Sequence, residues 1–130
     1  LQTPKFLSNA QVIKIHHRQI QKFGGTFGIR DEGLLDSALA QPQATFGGEL
    51  LHPTIYEQAA AYLYHLAMNH PFIDGNKRTA FAVMDTFITL NGYSLDLSDE
   101  QTYNLVIQVV QREMSKEQLS AFLKLHLMSK

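Results

Sequence analysis

The eleven residues His70-Pro71-Phe72-Ile73-Asp74-Gly75-Asn76-Lys77-Arg78-Thr79-Ala80 constrain this chain more than any other stretch. Apolar residues recur at helical spacing on both sides of it, so it must join two helices. Proline after His70 pushes His70 out of helical geometry and predicts that the first helix stops there. Phe72 is a large apolar residue in a polar loop and is expected to plug into the core. Gly75 permits a turn that a side chain would hinder. Asn76, Lys77 and Arg78 then fall where the second helix starts.

That start is in local conflict. A helix N-terminus has free N–H groups and the positive end of the dipole, which suits an anion. Lysine and arginine in the first turn oppose the dipole unless an anion meets them. Each residue also has an ordinary explanation. His70 could bond a carbonyl at a helix end, Asp74-Gly75 is a common turn pair, and Asn76 could be an N-cap. Their joint arrangement reads as a phosphate-handling site, with a histidine as base and an aspartate as metal ligand. The spacing is not that of a Walker A loop.

The stretch resembles the signature of the Fic/Doc family, carried here by His70-x-Phe72-x-Asp74-Gly75-Asn76-x-Arg78. It is most similar to the death-on-curing (Doc) branch. Lys77 stands where the wider family usually has glycine, and Phe81 where it has a second arginine. Phe23-Gly24-Gly25, Gly28 to Leu35, Asp36 to Pro42 and Leu90-Asn91-Gly92-Tyr93 agree with that branch, so the resemblance runs over nearly the whole chain.

Composition sets the bounds. A chain of 130 residues with 45% hydrophobic and 18% charged residues is expected to form a single domain, residues 1–130, with its own core. A net charge of −1 argues against a generic nucleic-acid binder. With no cysteine, disulfides and thiolate metal sites are excluded, which suits a cytoplasmic location. No apolar run approaches a membrane span, and no leader pattern opens the chain.

Along the chain, Ser8 or Asn9 caps a first helix running to about Lys22, which glycine ends with a left-handed cap. His16 shares its buried face with Val12 and Ile20, and His17 is expected in solvent. Asp31 starts a second helix that Pro42 closes. Gln43 to Pro53 is glycine-rich, and Gly47-Gly48 between apolar residues could make a short hairpin. Thr54-x-x-Glu57 reads as a capping box for a third helix. The fourth runs from Asn76 to about Leu90 and, apolar on most sides, is placed at the centre. Ser98-x-x-Gln101 caps a fifth, with Tyr103, Val106, Ile107 and Val110 inside. Ser115-x-x-Gln118 caps a sixth. The expectation is all-α: a compact Fic/Doc-type bundle of about six helices with a short flap.

The resemblance implies nucleotide-dependent transfer to a protein hydroxyl. His70 would be the general base, Asp74 would hold Mg²⁺, Gly75 and Asn76 would surround phosphate oxygens, and Lys77 and Arg78 would neutralise the transferred group. Phe46, Gly47, Gly48, Glu49 and Leu50 would form a flap holding the target segment. Most Fic proteins transfer AMP from ATP. The Doc branch is associated with phosphorylation of elongation factor Tu, and the Lys77 and Phe81 departures favour that kinase chemistry. A Doc-like toxin would belong to a type II toxin–antitoxin pair with an antitoxin of the Phd type. The family's self-inhibitory [ST]-x-x-x-E-[GN] helix has no match, because Leu50 follows Glu49, so inhibition would come from another chain. A hydrolase or an inactive binding module on the same fold are the other classes open to this sequence.

Overall fold

A computed structural model describes residues 3–129. Among them, six α-helices carry the fold: α1 Asn9–Phe23, α2 Glu32–Ala40, α3 Ile55–Asn69, α4 Asn76–Leu90, α5 Asp99–Val110 and α6 Lys116–His126. The strands are short and form two antiparallel pairs. β1 (Thr45–Phe46) pairs with β2 (Glu49–Leu50), and β3 (Tyr93–Leu95) pairs with β4 (Leu127–Ser129). The all-α expectation holds. None of the helices is long and apolar enough to cross a membrane.

Three helices start on reciprocal Ser-x-x-Gln boxes. The Ser8, Ser98 and Ser115 hydroxyls accept from the N–H of Gln11, Gln101 and Gln118, whose side chains take the serine N–H in return. Helix α3 uses a variant. Thr54 accepts from the Glu57 N–H, but the return bond runs from the Thr54 hydroxyl to the Glu57 carboxylate (2.6 Å). At the end of α4, Asn91 donates to the Phe87 carbonyl (2.8 Å) and exchanges two bonds with the Lys5 backbone, which ties the N-terminal segment down.

The core is built around α3, which packs on α2, α4, α5 and α6. Ala59, Ala60, Ala61 and Ala67 let its neighbours approach closely, and Tyr62, Leu63 and Leu66 fill the space between them. The centre therefore falls on α3, with α4 beside it through Ala80, Val83, Met84, Phe87 and Ile88. Burial pushes the Tyr62 hydroxyl up to about 12, and its oxygen accepts from the Leu7 N–H (2.9 Å).

Several local expectations need correction. Tyr103 is not inside: it is 66% exposed, and the buried stripe of α5 is Leu105, Val106 and Val109. Two stripes of α5 were open to the sequence, and packing on α3 chose the one without the tyrosine. Gly24 has positive φ (87°), but its ψ of 172° is extended rather than left-handed helical. Helix α2 does close just before Pro42, at Ala40, but Pro42 itself sits in a 3₁₀ turn, Gln41–Gln43, where its missing N–H costs nothing. Asn76 is not the cap of α4: Gly75 is, in the left-handed region (φ 72°, ψ 22°). The β3–β4 pair was not foreseen, because each strand is three residues long and its partner is distant in sequence. The Gly47-Gly48 hairpin forms as expected, with both glycines at positive φ (60° and 83°), the geometry tight hairpins require.

Candidate active site

Helix α3 ends on His70 in a left-handed conformation (φ 46°, ψ 56°). The proline drives it out of the helix as expected, yet into a region that costs a non-glycine residue about 1–2 kcal/mol. Strain of this kind concentrates at functional sites. The loop that follows is held from outside by the connector between α1 and α2. Pro71's carbonyl accepts from the N–H groups of Arg30 (2.7 Å) and Asp31 (3.1 Å), and the Ile73 N–H donates to the Gly28 carbonyl (3.1 Å). Ile29 and Phe72 form a single antiparallel bridge.

Phe72 plugs the loop into the core and is 1% exposed. His16 of α1 lies flat on its ring, with centroids 3.9 Å apart and planes 4° from parallel. His16 Nε2 is 2.8 Å from the Asp74 carbonyl. A carbonyl only accepts, so Nε2 carries the proton. Burial holds the His16 imidazole below its ordinary value and favours the neutral form. His16 is thus a satisfied, buried histidine that fixes the loop backbone.

Asn76, the first residue of α4, returns its side chain to the same loop. Its Oδ1 accepts from the Phe72 N–H (2.9 Å), and its Nδ2 donates to the Phe72 carbonyl (2.9 Å). One amide hydrogen and the backbone N–H remain to meet a ligand. Within α4 the ladder begins with the Thr79 N–H on the Gly75 carbonyl (3.0 Å). The N–H groups of Asn76, Lys77 and Arg78 therefore face the open helix end, and Gly75 has no side chain to cap them. That end presents the free N–H groups and the positive dipole pole that suit an anion.

Asp74 is exposed and its carboxylate is oriented by two backbone donors: Gly75 N–H to Oδ1 (2.8 Å) and Thr26 N–H to Oδ2 (3.1 Å). The approach is close, since a Cβ on Gly25 would lie 2.7 Å from Asp74 Oδ2. A carboxylate has about four lone-pair directions, so two remain. Among the described residues no group of three or more histidines or acids is placed to hold a metal ion. One exposed carboxylate fits an ion such as Mg²⁺ that completes its shell with phosphate oxygens and water.

His70, Asp74, Gly75, Asn76, Lys77 and Arg78 all line one recess of about 740 Å³, between the start of α4, the end of α1 and the face of α5. The sequence-predicted catalytic, phosphate and metal residues are thus brought together. The recess also has walls that sequence reasoning missed. Phe23 of α1 is exposed, with Arg78 Cζ 4.9 Å and Lys22 Nζ 5.2 Å from its ring centroid. Lys22 adds a third cation to the lining, and Phe23 steadies Arg78 by a cation–π contact. Thr102 and Tyr103 of α5 close the opposite side. Helical spacing places Tyr103 inside, so the sequence holds no signal for its place in this wall. Phe81 lies in the wall between the two sides. The β1–β2 hairpin, with Phe46 82% exposed, contributes no residue to the lining.

A second recess, of about 630 Å³, is lined by His52, Tyr56, Glu57 and Lys116 among others. Lys116 Nζ donates to His65 Nε2 (3.1 Å), and burial, then Lys116, hold that imidazole down at about 4. Burial also lowers His52. In both, burial favours the neutral form.

Comparison with known proteins shows the family of this chain. The model of the Fic/DOC family matches residues 6–88. The chain is 43% identical over 101 residues to the protein named Toxin Doc of Mycolicibacterium smegmatis (strain ATCC 700084 / mc(2)155), covering 76% of this chain and 78% of that one. It is 31% identical over 96 residues to the protein named Protein kinase doc of Escherichia phage P1, covering 74% and 75% respectively. The span matched by the family model contains the loop, the uncapped helix start and every residue of the signature. This chain belongs to the Fic/DOC family.

Proposed function

We propose that this protein is a Doc-like toxin of a toxin–antitoxin pair that transfers the γ-phosphoryl group of ATP to a hydroxyl of a target protein. One observation carries the reading. Two cations, Lys77 and Arg78, stand at an uncapped helix N-terminus in the same recess as an exposed histidine and an oriented carboxylate. Such a helix start is stabilised by bound phosphate. The relatives named toxin and protein kinase support the same class.

In this reaction the His70 imidazole takes the proton of the target hydroxyl as its oxygen attacks the γ-phosphorus. The bond from phosphorus to the bridging oxygen breaks and ADP leaves. Lys77 and Arg78 meet the charge on the transferred group, arginine through paired N–H bonds. The free N–H groups of α4 hold phosphate oxygens without reorganising, because the helix is packed in the core. Asp74 would hold Mg²⁺, which would supply positive charge against the phosphate groups. Phe81 puts an apolar wall in the recess where a further arginine would add charge. The exposed edge of the β1–β2 hairpin suits pairing with an extended target segment, with Phe46 and Glu49 flanking the Gly47-Gly48 turn and Leu50 beside them. The target is a translation factor such as elongation factor Tu, and the antitoxin is of the Phd type.

The test uses the purified chain, Mg²⁺, a bacterial extract and ATP labelled at the α or the γ phosphate, with His70→Ala as control. Label on a protein from γ-ATP alone, lost in the variant, is expected. Label from α-ATP alone would replace the kinase reading with AMP transfer by the same residues. Label from neither would favour a hydrolase or a binding module.

A further inference from the structure

Arg30 lies in the connector between α1 and α2, outside the signature. Its guanidinium makes two hydrogen bonds at the end of α3: Nε donates to the His70 carbonyl (2.7 Å) and Nη2 to the Asn69 carbonyl (2.9 Å). A helix usually closes its end with N–H groups from the residues just beyond it. Here the residue beyond His70 is Pro71, which has no N–H to give. Arg30, from another segment, instead meets the last two carbonyls of this end, those of Asn69 and His70. A cation at this end also matches the negative pole of the α3 dipole.

Two further observations make this a device rather than a stray surface contact. First, Arg30 starts from a fixed backbone. Its own N–H donates to the Pro71 carbonyl (2.7 Å), the Gly28 carbonyl accepts from the Ile73 N–H (3.1 Å), and Ile29 faces Phe72 in the bridge that these two bonds close. Second, the residue it grips is the strained one. His70 is left-handed although it has a Cβ and precedes proline, two reasons to be elsewhere in backbone space. Asn69 is held from its other side as well, donating from Nδ2 to the Leu34 carbonyl (2.9 Å). The rigid fork of a guanidinium offers fixed donors to two adjacent carbonyls, whereas the donors of an ammonium rotate.

We propose that Arg30 is a positioning residue: its two bonds to the Asn69 and His70 carbonyls hold His70 in the left-handed backbone that places its imidazole in the recess. The consequence for catalysis rests on the reading of His70 as general base; the consequence for the backbone of His70 does not. Arg30 is exposed, so shortening it removes the bonds without opening a hole in the core.

The experiment compares wild type, Arg30→Ala and Arg30→Lys, each with ¹³C-labelled histidine. The signals read are the His70 Cα and Cβ shifts, assigned by their absence in His70→Ala. In Arg30→Ala these shifts move away from left-handed values, and the unfolding midpoint stays within about 4 °C of wild type. Transfer of labelled γ-phosphate falls about tenfold to a hundredfold in kcat, while KM for ATP stays within about twofold. Arg30→Lys recovers part of both. Unchanged His70 shifts in Arg30→Ala would overturn the proposal, as would shifts that move while kcat is unaffected. If Arg30→Ala does not fold, Arg30→Lys decides alone: His70 shifts and kcat equal to wild type would overturn it. If wild-type protein transfers nothing, the functional reading falls, and the His70 shifts still decide whether Arg30 sets that backbone.

Discussion

Helices α5 and α6 begin at Ser98 and Ser115, where hydroxyl and glutamine satisfy the free N–H groups within one turn. Acids stand in their first turns, Asp99 and Glu100 in α5 and Glu117 in α6, in line with the dipole. Helix α4 begins at Gly75, with no capping side chain and with Lys77 and Arg78 in the first turn. The first two starts are complete within the chain. The third has no side-chain cap within the chain. The same chain thus holds both solutions, and the incomplete one faces the recess with His70 and Asp74.

The contrast extends to the histidines. His70 is exposed at the uncapped end, while His65 is drawn towards Lys116 at the start of α6 and kept neutral. His16 has a third role, since it neither reacts nor pairs with a charge but props the Phe72 loop.

The largest effect should come from breaking the uncapped start. Arg78→Ala should lower the rate of transfer about 10²–10³-fold. Its stability should stay within about 1 kcal/mol, because relief at the helix dipole offsets the lost contact with Phe23. Labelling kinetics beside thermal unfolding would check this, and a rate equal to wild type would refute the role of that cation.

The next effect concerns acid. The folded-state value of His65 is depressed from 6.5 to about 4, so between those values the unfolded chain binds a proton that the folded chain does not. The contribution of His65 is full above pH 6.5 and is lost as pH falls towards 4. Allowing for its partial exposure, the loss is about 1–2 kcal/mol. Urea unfolding of wild type and His65→Gln across this window should show a shallower fall in the variant. Parallel curves would mean that other groups carry the whole acid response.

Smaller still, Ser115→Ala should cost about 1 kcal/mol of stability and leave transfer unchanged, as a purely structural cap predicts. The smallest effect should have the opposite sign. Lys77→Gln should stabilise the free protein by about 0.3–1 kcal/mol while weakening transfer. A destabilised Lys77→Gln would mean that the conflict at this helix start is already resolved inside the chain.

Much of this was legible in sequence because the signals act within one or two turns. Ser-x-x-Gln boxes, Pro71 after His70, Gly75 before Asn76 and Gly47-Gly48 each specify the backbone beside them. The helices, the hairpin and the placing of His70, Asp74, Lys77 and Arg78 at one junction follow from such local rules. The role of Asn76 was half legible: its place at the helix start was clear, but its bonds to Phe72 needed the loop's path. Tyr103 was misplaced because helical spacing alone allows two stripes, and only the packing of α5 on α3 selects between them.

What tertiary structure alone decided is how the junction is held. Arg30 reaches His70 across 40 residues, Thr26 reaches Asp74 across 48, and His16 reaches Asp74 across 58. The sequence by itself determined which residue types meet at the helix end, since backbone geometry and dipoles are set by near neighbours. It left open what keeps a strained histidine and an exposed carboxylate in place. Those contacts exist only once α1 and its connector have docked on the α3–α4 loop, and docking depends on the shape of the whole core.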